Sequence, residues 1–141
     1  MAELLARGWN VAIPEVDVGD DIFVVKDEVG LLMRVQVKTA TATIRKKGFS
    51  AQFQVNVDNL AEIRGEEIHY AFMVRLENGW AKSVMMSQTI LFDYVENQKM
   101  GSKYQQDVVL YFTYQNDKVM CSNINLNSHI EDYSSFPIIP L

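Results

Sequence analysis

MRVQVKTA, residues 33–40, decides how this chain folds. Met33, Val35 and Val37 alternate with Arg34, Gln36 and Lys38, the period of two that marks a strand with one wet face. That face carries Gln36 and Lys38 together, and Asp17, Asp20 and Asp21 stand one hairpin upstream. Solvation alone asks only for polarity there. An amide, an ammonium and a nearby carboxylate are the groups of a metal-dependent hydrolase.

Upstream of the strand, AELLARG has the pattern of the last turns of an amphipathic helix, with Gly8 as its C-terminal cap. WNVAI predicts a strand ending at Pro14. PEVDVGD is an acidic turn in which Gly19 can take dihedrals closed to other residues. DIFVVKD predicts a second strand, apolar on both faces over residues 22–25 as in a covered sheet. A short turn at residues 28–30 leads into LLMRVQVKT, the third strand.

Downstream, TATIRKKG reads as a polar connection, FSAQFQVNV as a strand, and DNLAEI as a short helix capped by Asp58. EEIHYAFMVRLENGWAKSVMM predicts a hairpin turning at Asn78-Gly79. SQTILFDYVENQ predicts a helix capped by Ser87, and GSKYQQ a loop. DVVLYFTYQNDKVMCSNINL predicts a hairpin turning at Asn116-Asp117, and the end is a short helix or coil closed by Pro137 and Pro140. No internal repeat is visible. The class is α/β: a mixed β-sheet flanked by helices, with an N-terminal helix and added C-terminal hairpins. The expected organisation is one domain over 1–141, with the motif-bearing core in 1–57 and a sheet-and-helix extension in 58–141.

Composition narrows the function. With 48% apolar residues in 141 and no low-complexity tract, the chain can bury a core. Its apolar runs fall far short of the roughly 18 residues of a membrane span, so no membrane partner is expected. The start lacks the basic and apolar regions of a signal peptide, and the lone Cys121 excludes an intrachain disulfide and a cysteine zinc cage. A cytoplasmic location follows as the expectation. Net charge is −5, and the excess lies in residues 49–141, with eleven acids against six bases; residues 1–48 balance at seven each. An acidic chain makes a poor stand-alone DNA binder, because that affinity comes from phosphate neutralisation. Arg45, Lys46 and Lys47 form the one local basic cluster, a candidate contact for DNA phosphates or simply a solvated loop.

Hydrolysis of a phosphodiester with magnesium needs hard oxygen ligands and a group that positions water. Asp21 can supply a carboxylate, Gln36 an amide carbonyl, and Val37, between the two polar side chains, a backbone carbonyl. Lys38 falls on the face of Gln36 and can hold the water or the transition-state phosphate. The set works only if the second and third strands are neighbours, which their short turn favours.

The order of an Asp, some fifteen residues, then Gln-x-Lys on a strand resembles the PD-(D/E)XK nuclease superfamily, with its restriction endonucleases and Holliday junction resolvases. The pieces that carry the likeness are GWNVAIPEVDVGDDIFVV and MRVQVKTA. They are similar to a bacterial set of small domains with a helix ending in Gly-aromatic, then Asp-x-Gly-x-Asp, then a Val-Gln-Val-Lys strand. The similarity covers about residues 1–57. It implies a restriction endonuclease-like core and a DNA endonuclease activity that uses Mg2+ or Mn2+. By residue, it implies Asp21 as the metal-binding aspartate, Gln36 where a Glu is usual, Lys38 as the catalytic lysine, and Asp17 as an alternative ligand. It also implies a homodimer, since related enzymes pair to cut both strands. Two features depart from the pattern. Gln36 removes one negative charge, and the helix glutamate found nearly three turns before the glycine has no match, Glu3 being too near it. A catalytically inactive descendant serving as a binding module, and an ordinary α/β domain, stand as the alternatives.

Other residues read as structure. His69 and His129 lack metal-pair spacing and read as core or surface histidines. Cys121 has no adjacent base, and the aromatic set Phe92, Tyr94, Tyr111, Phe112 and Tyr114 reads as core. Trp80 covers one end of the sheet, and Asp20 reads as turn chemistry. No GxSxG context or glycine-rich phosphate loop is present.

Overall fold

Helix α1 (Ala2–Ala6) stops where Gly8 takes φ +88°, the left-handed cap expected there. The computed structural model describes residues 1–13, 22–26 and 31–140, with residues 22–26 and Leu31 described by backbone only. Along these residues follow β1 (Asn10–Ala12), β2 (Ile22–Lys26), β3 (Leu31–Thr41), β4 (Thr43–Arg45), β5 (Gly48–Asn56) and α2 (Val57–Ala61). Then come β6 (Ile68–Leu76), β7 (Gly79–Trp80), β8 (Val84–Ser87) and α3 (Gln88–Glu96). Strands β9 (Ser102–Tyr104), β10 (Asp107–Gln115), β11 (Lys118–Cys121) and β12 (Ile124–Asn125), with a 3-10 turn at Asn127–His129, complete the described chain.

The fold is mixed α/β, and its described strands form two sheets of six. The first runs β1-β2-β3-β6-β7 with β8 also on β6; its β3–β6 pair is parallel and the others are antiparallel. The second, β12-β11-β10-β5-β4 with β9 on β10, is antiparallel throughout. TATIRKKG is therefore no mere connection: it contains β4 and a tight turn at Lys46-Lys47 into β5. Gly48 is required there, because a Cβ would meet the Tyr114 carbonyl oxygen at 1.9 Å. GSKYQQ likewise contains β9, whose alternation is too short to read locally.

One face of the first sheet carries Tyr70, Phe72 and Val74 and packs on Phe53, Leu110 and Phe112 of the second. Phe72 lies 5.0 Å from Phe53 and 5.2 Å from Phe112 between ring centroids, with the rings steeply inclined as aromatic quadrupoles prefer. The other face carries Val35, Ala71 and Met85 and is covered by Leu4, Trp9 and Phe136. Trp9 donates its indole N–H to the Pro137 carbonyl at 2.8 Å, and Ile139 N–H bonds the Arg7 carbonyl, so the C-terminal tail straps α1 down.

Caps follow local chemistry. Ser87 caps α3 as expected, its hydroxyl accepting from Ile90 N–H. The cap of α2 is Asn56, one turn before Asn59 whose N–H it accepts, and not Asp58, which stands in the first turn where a carboxylate favours the helix dipole. The β10–β11 turn is Asn116-Asp117, both at positive φ as a type I′ hairpin needs. The β6–β7 turn is Glu77-Asn78, with Gly79 already paired to Leu76.

Gln88 is the polar hinge of the core. Only 1% exposed, it accepts from Ile68 N–H and directs its amide N–H groups at the carbonyls of Asn59, Leu60 and Glu62. Gln88→Leu keeps the volume and strands those backbone groups, so urea unfolding is expected to show a loss of about 3 kcal/mol with an unchanged m-value.

Both histidines are structural. His129 is buried, with Nε2 2.7 Å from the Tyr94 hydroxyl; His69 packs edge-on against Phe136. Burial holds both imidazoles below their ordinary pKa, against the opposing pull of Asp132 on His129 and Glu67 on His69. The folded state therefore keeps them neutral where the unfolded chain protonates them. Their contribution is complete above about pH 6.5 and is lost as pH falls. The urea midpoint is expected to drop from pH 7 to pH 5, and a His69→Asn, His129→Asn double variant to flatten that slope.

Candidate functional site

Strand β3 lies between β2 and β6. Its residues Gln36 and Lys38 pair in register with Tyr70 and Phe72, and alternation puts them on the face where those two rings enter the core. Val35 and Val37 turn the other way, toward α1 and Phe136. The two polar side chains thus rise from one face, roughly 6–7 Å apart along the strand. Both are half-buried, so the row expected to be a wet face stands at the margin of the core. A lysine there lays its stem along apolar surface and keeps its ammonium in water.

The row begins at Arg34. Its Nη1 donates to the carbonyls of Arg64 at 2.7 Å and Glu66 at 3.2 Å, tying the loop before β6 to β3. On the other side, β2 pairs with β3 as expected of neighbours, from Lys26 opposite Leu31 to Ile22 opposite Val35. Asp17, Asp20 and Asp21 lie outside the described residues. The part of the expected donor set that is described consists of the Gln36 amide and the Val37 carbonyl, hard oxygens without charge. Among the described residues no group of three or more His, Cys, Asp or Glu could hold a metal.

The basic cluster divides. Arg45 donates from Nε to Ser50 Oγ at 3.1 Å and from Nη2 to the Tyr111 hydroxyl at 2.8 Å, so it is engaged within the second sheet. That bonding, with the Ser50 hydroxyl first, holds the Tyr111 phenol below its ordinary pKa. Lys46 and Lys47 are exposed on the turn. Glu3 pairs with Arg7 one helical turn on, at 2.8 Å. Cys121 is buried, and burial pushes its thiol up, away from reactivity.

Sequence reasoning missed a cavity between hairpin tips of the two sheets, lined by Lys47, Lys82 and Lys118. Its walls come from segments far apart in the chain, and no local pattern announces it. No helix among the described residues is long and apolar enough to cross a membrane.

Comparison with known proteins returns little. No protein family and no curated protein matches the chain. Among solved structures it is similar to the bacterial homing endonuclease I-Ssp6803I, with 17% identity and a TM-score of 0.42 over 66% of this chain. The chain spans 64% of that endonuclease, just under two thirds of its length.

Proposed function

We propose that the chain is a small metal-dependent endonuclease of the PD-(D/E)XK type that hydrolyses DNA phosphodiesters through Asp21, Gln36 and Lys38. The register of β2 on β3 carries this reading. Ile22, the sequence neighbour of Asp21, is the partner of Val35, the sequence neighbour of Gln36. Lys38 stands two residues further on the same face. The ion pairs among the described residues join Arg7 to Glu3, Arg64 to Glu62 and Lys103 to Glu96, and Lys38 belongs to none of them.

In this reading Asp21 and Gln36 hold Mg2+ or Mn2+, with the Val37 carbonyl and Asp17 as further oxygens. Amide and carbonyl oxygens suit these hard cations, and the aspartates bring the negative charge of the set. The ion, when bound, supplies Lewis acidity toward the phosphoryl oxygen and lowers the pKa of its water. Lys38 donates hydrogen bonds to the attacking water and to the phosphate oxygens as charge builds on them. Its half-buried stem fixes the direction of approach. Lys46 and Lys47, exposed on their turn, are the better candidates for contact with flanking phosphates, since Arg45 is already engaged. Related enzymes pair to cut both strands, and a homodimer goes with this reading. A cytoplasmic location matches the lone, reduced Cys121.

The test is cleavage of plasmid, single-stranded and branched DNA in Mg2+ or Mn2+. Lys38→Ala is expected to slow cleavage about 100-fold or more, Asp21→Asn to do the same, and a chelator to abolish it. Gln36→Glu restores a charge and is expected to tighten Mn2+ binding in calorimetry. Wild type cutting no faster than Lys38→Ala would leave a non-catalytic binding module.

A further inference from the structure

The cavity between the hairpin tips joins apolar walls to a rim of lysines. The Lys46-Lys47 turn, the Asn116-Asp117 turn and the segment after β7 border a half-open cleft of about 520 Å3, within the range of small-molecule sites. Phe49 and Tyr114 line it and stack on each other at 4.4 Å with their planes 13° apart. Leu76 and Ile130 complete apolar walls. The Tyr114 hydroxyl is enclosed by protein, so an occupant meets the ring and not the oxygen.

The rim is cationic. Lys47, Lys82 and Lys118 come from three separate hairpins, all exposed, and none belongs to an ion pair among the described residues. Asp117 is the single carboxylate of the lining. Lys46, Arg75, Glu77 and Glu131 adjoin this lining in sequence. Together these positions hold five bases and three acids, which leaves eight bases against fifteen acids for the rest of the chain. Trp80 pairs with Arg75, precedes Ala81 and Lys82 of the wall, and is 55% exposed.

A lysine rim around an aromatic-lined hollow suits an anion with a flat apolar body. Inorganic phosphate makes no use of the rings. An alkyl carboxylate needs one cation, not three. A closed duplex keeps its bases stacked and cannot fill the hollow. We infer that the cavity takes one nucleotide unit, its base on the Phe49–Tyr114 wall and its phosphates on Lys47, Lys82 and Lys118. Base–aromatic stacking of this kind contributes about 1–3 kcal/mol per base. The spread of cations over three hairpins, with Trp80 beside them, favours an unpaired stretch of a strand over a free mononucleotide. The inference does not rest on hydrolysis at Gln36 and Lys38.

The experiment is fluorescence anisotropy with a labelled ten-thymidine oligonucleotide in a chelating, low-salt buffer, which silences any cleavage. The oligonucleotide is expected to bind, and a Lys82→Glu, Lys118→Glu double variant to weaken it at least tenfold and to lower the salt slope by about 2. Trp80→Ala is expected to weaken it with the salt slope unchanged. Both substitutions are at exposed positions, and an unchanged urea midpoint confirms their folding. Thymidine monophosphate competing as well as the oligonucleotide supports the site and assigns it to the free nucleotide. Equal displacement by inorganic phosphate or decanoate, or undiminished binding by the charge-reversed variant, overturns it. Binding is read in the chelator, where the ion that hydrolysis needs is absent, and the variants lie away from Gln36 and Lys38, so this result stands apart from the fate of the nuclease reading.

Discussion

The contact of Phe72 with Phe53 and Phe112 makes one core of two sheets. Each sheet alone would leave an apolar face in water, and steeply inclined rings at this spacing lock the faces together with more direction than aliphatic packing gives. Phe72 is also the register partner of Lys38. The residue that anchors the two sheets therefore fixes where the ammonium rises. The candidate site meets the core through two rungs of the β3–β6 ladder, Gln36 on Tyr70 and Lys38 on Phe72.

That ladder is parallel, and parallel strands need a long crossover. Here the crossover contains β4, β5 and α2, so the second sheet takes two of its strands from inside the connection of the first. Gln88 closes the loop. Its amide joins the carbonyls at the end of α2 to the first residue of β6 and so replaces the hydrogen bonds that water would give an exposed connection. A leucine of the same size would fill the space and lose the connection.

Much of this was legible locally. The period of MRVQVKTA, the Ser87 cap and the Asn116-Asp117 turn depend on residues within a few positions of one another, and each appears as read. Asn56 outranks Asp58 because capping is decided by which residue has extended dihedrals just before the first turn, a property of the incoming strand. The division into two sheets was not legible, since β4 and β9 are three-residue strands that exist only because a neighbour pairs with them. For the site, the sequence shows that Gln36 and Lys38 share a face, but their half-burial depends on Tyr70 and Phe72, some 34 positions away. The lysine-rimmed cavity was invisible for the same reason: Lys47, Lys82 and Lys118 become neighbours only when three hairpins meet.

The crossover also sets a clock. During synthesis the strand bearing Gln36 and Lys38 is complete at Thr41, but its parallel partner ends at Leu76, 35 residues later. At about 5–20 residues per second the ribosome needs roughly 2–7 s to supply them. Through that interval Lys38 has no Phe72 beneath it, and the nascent chain carries the polar row without the frame that aims it.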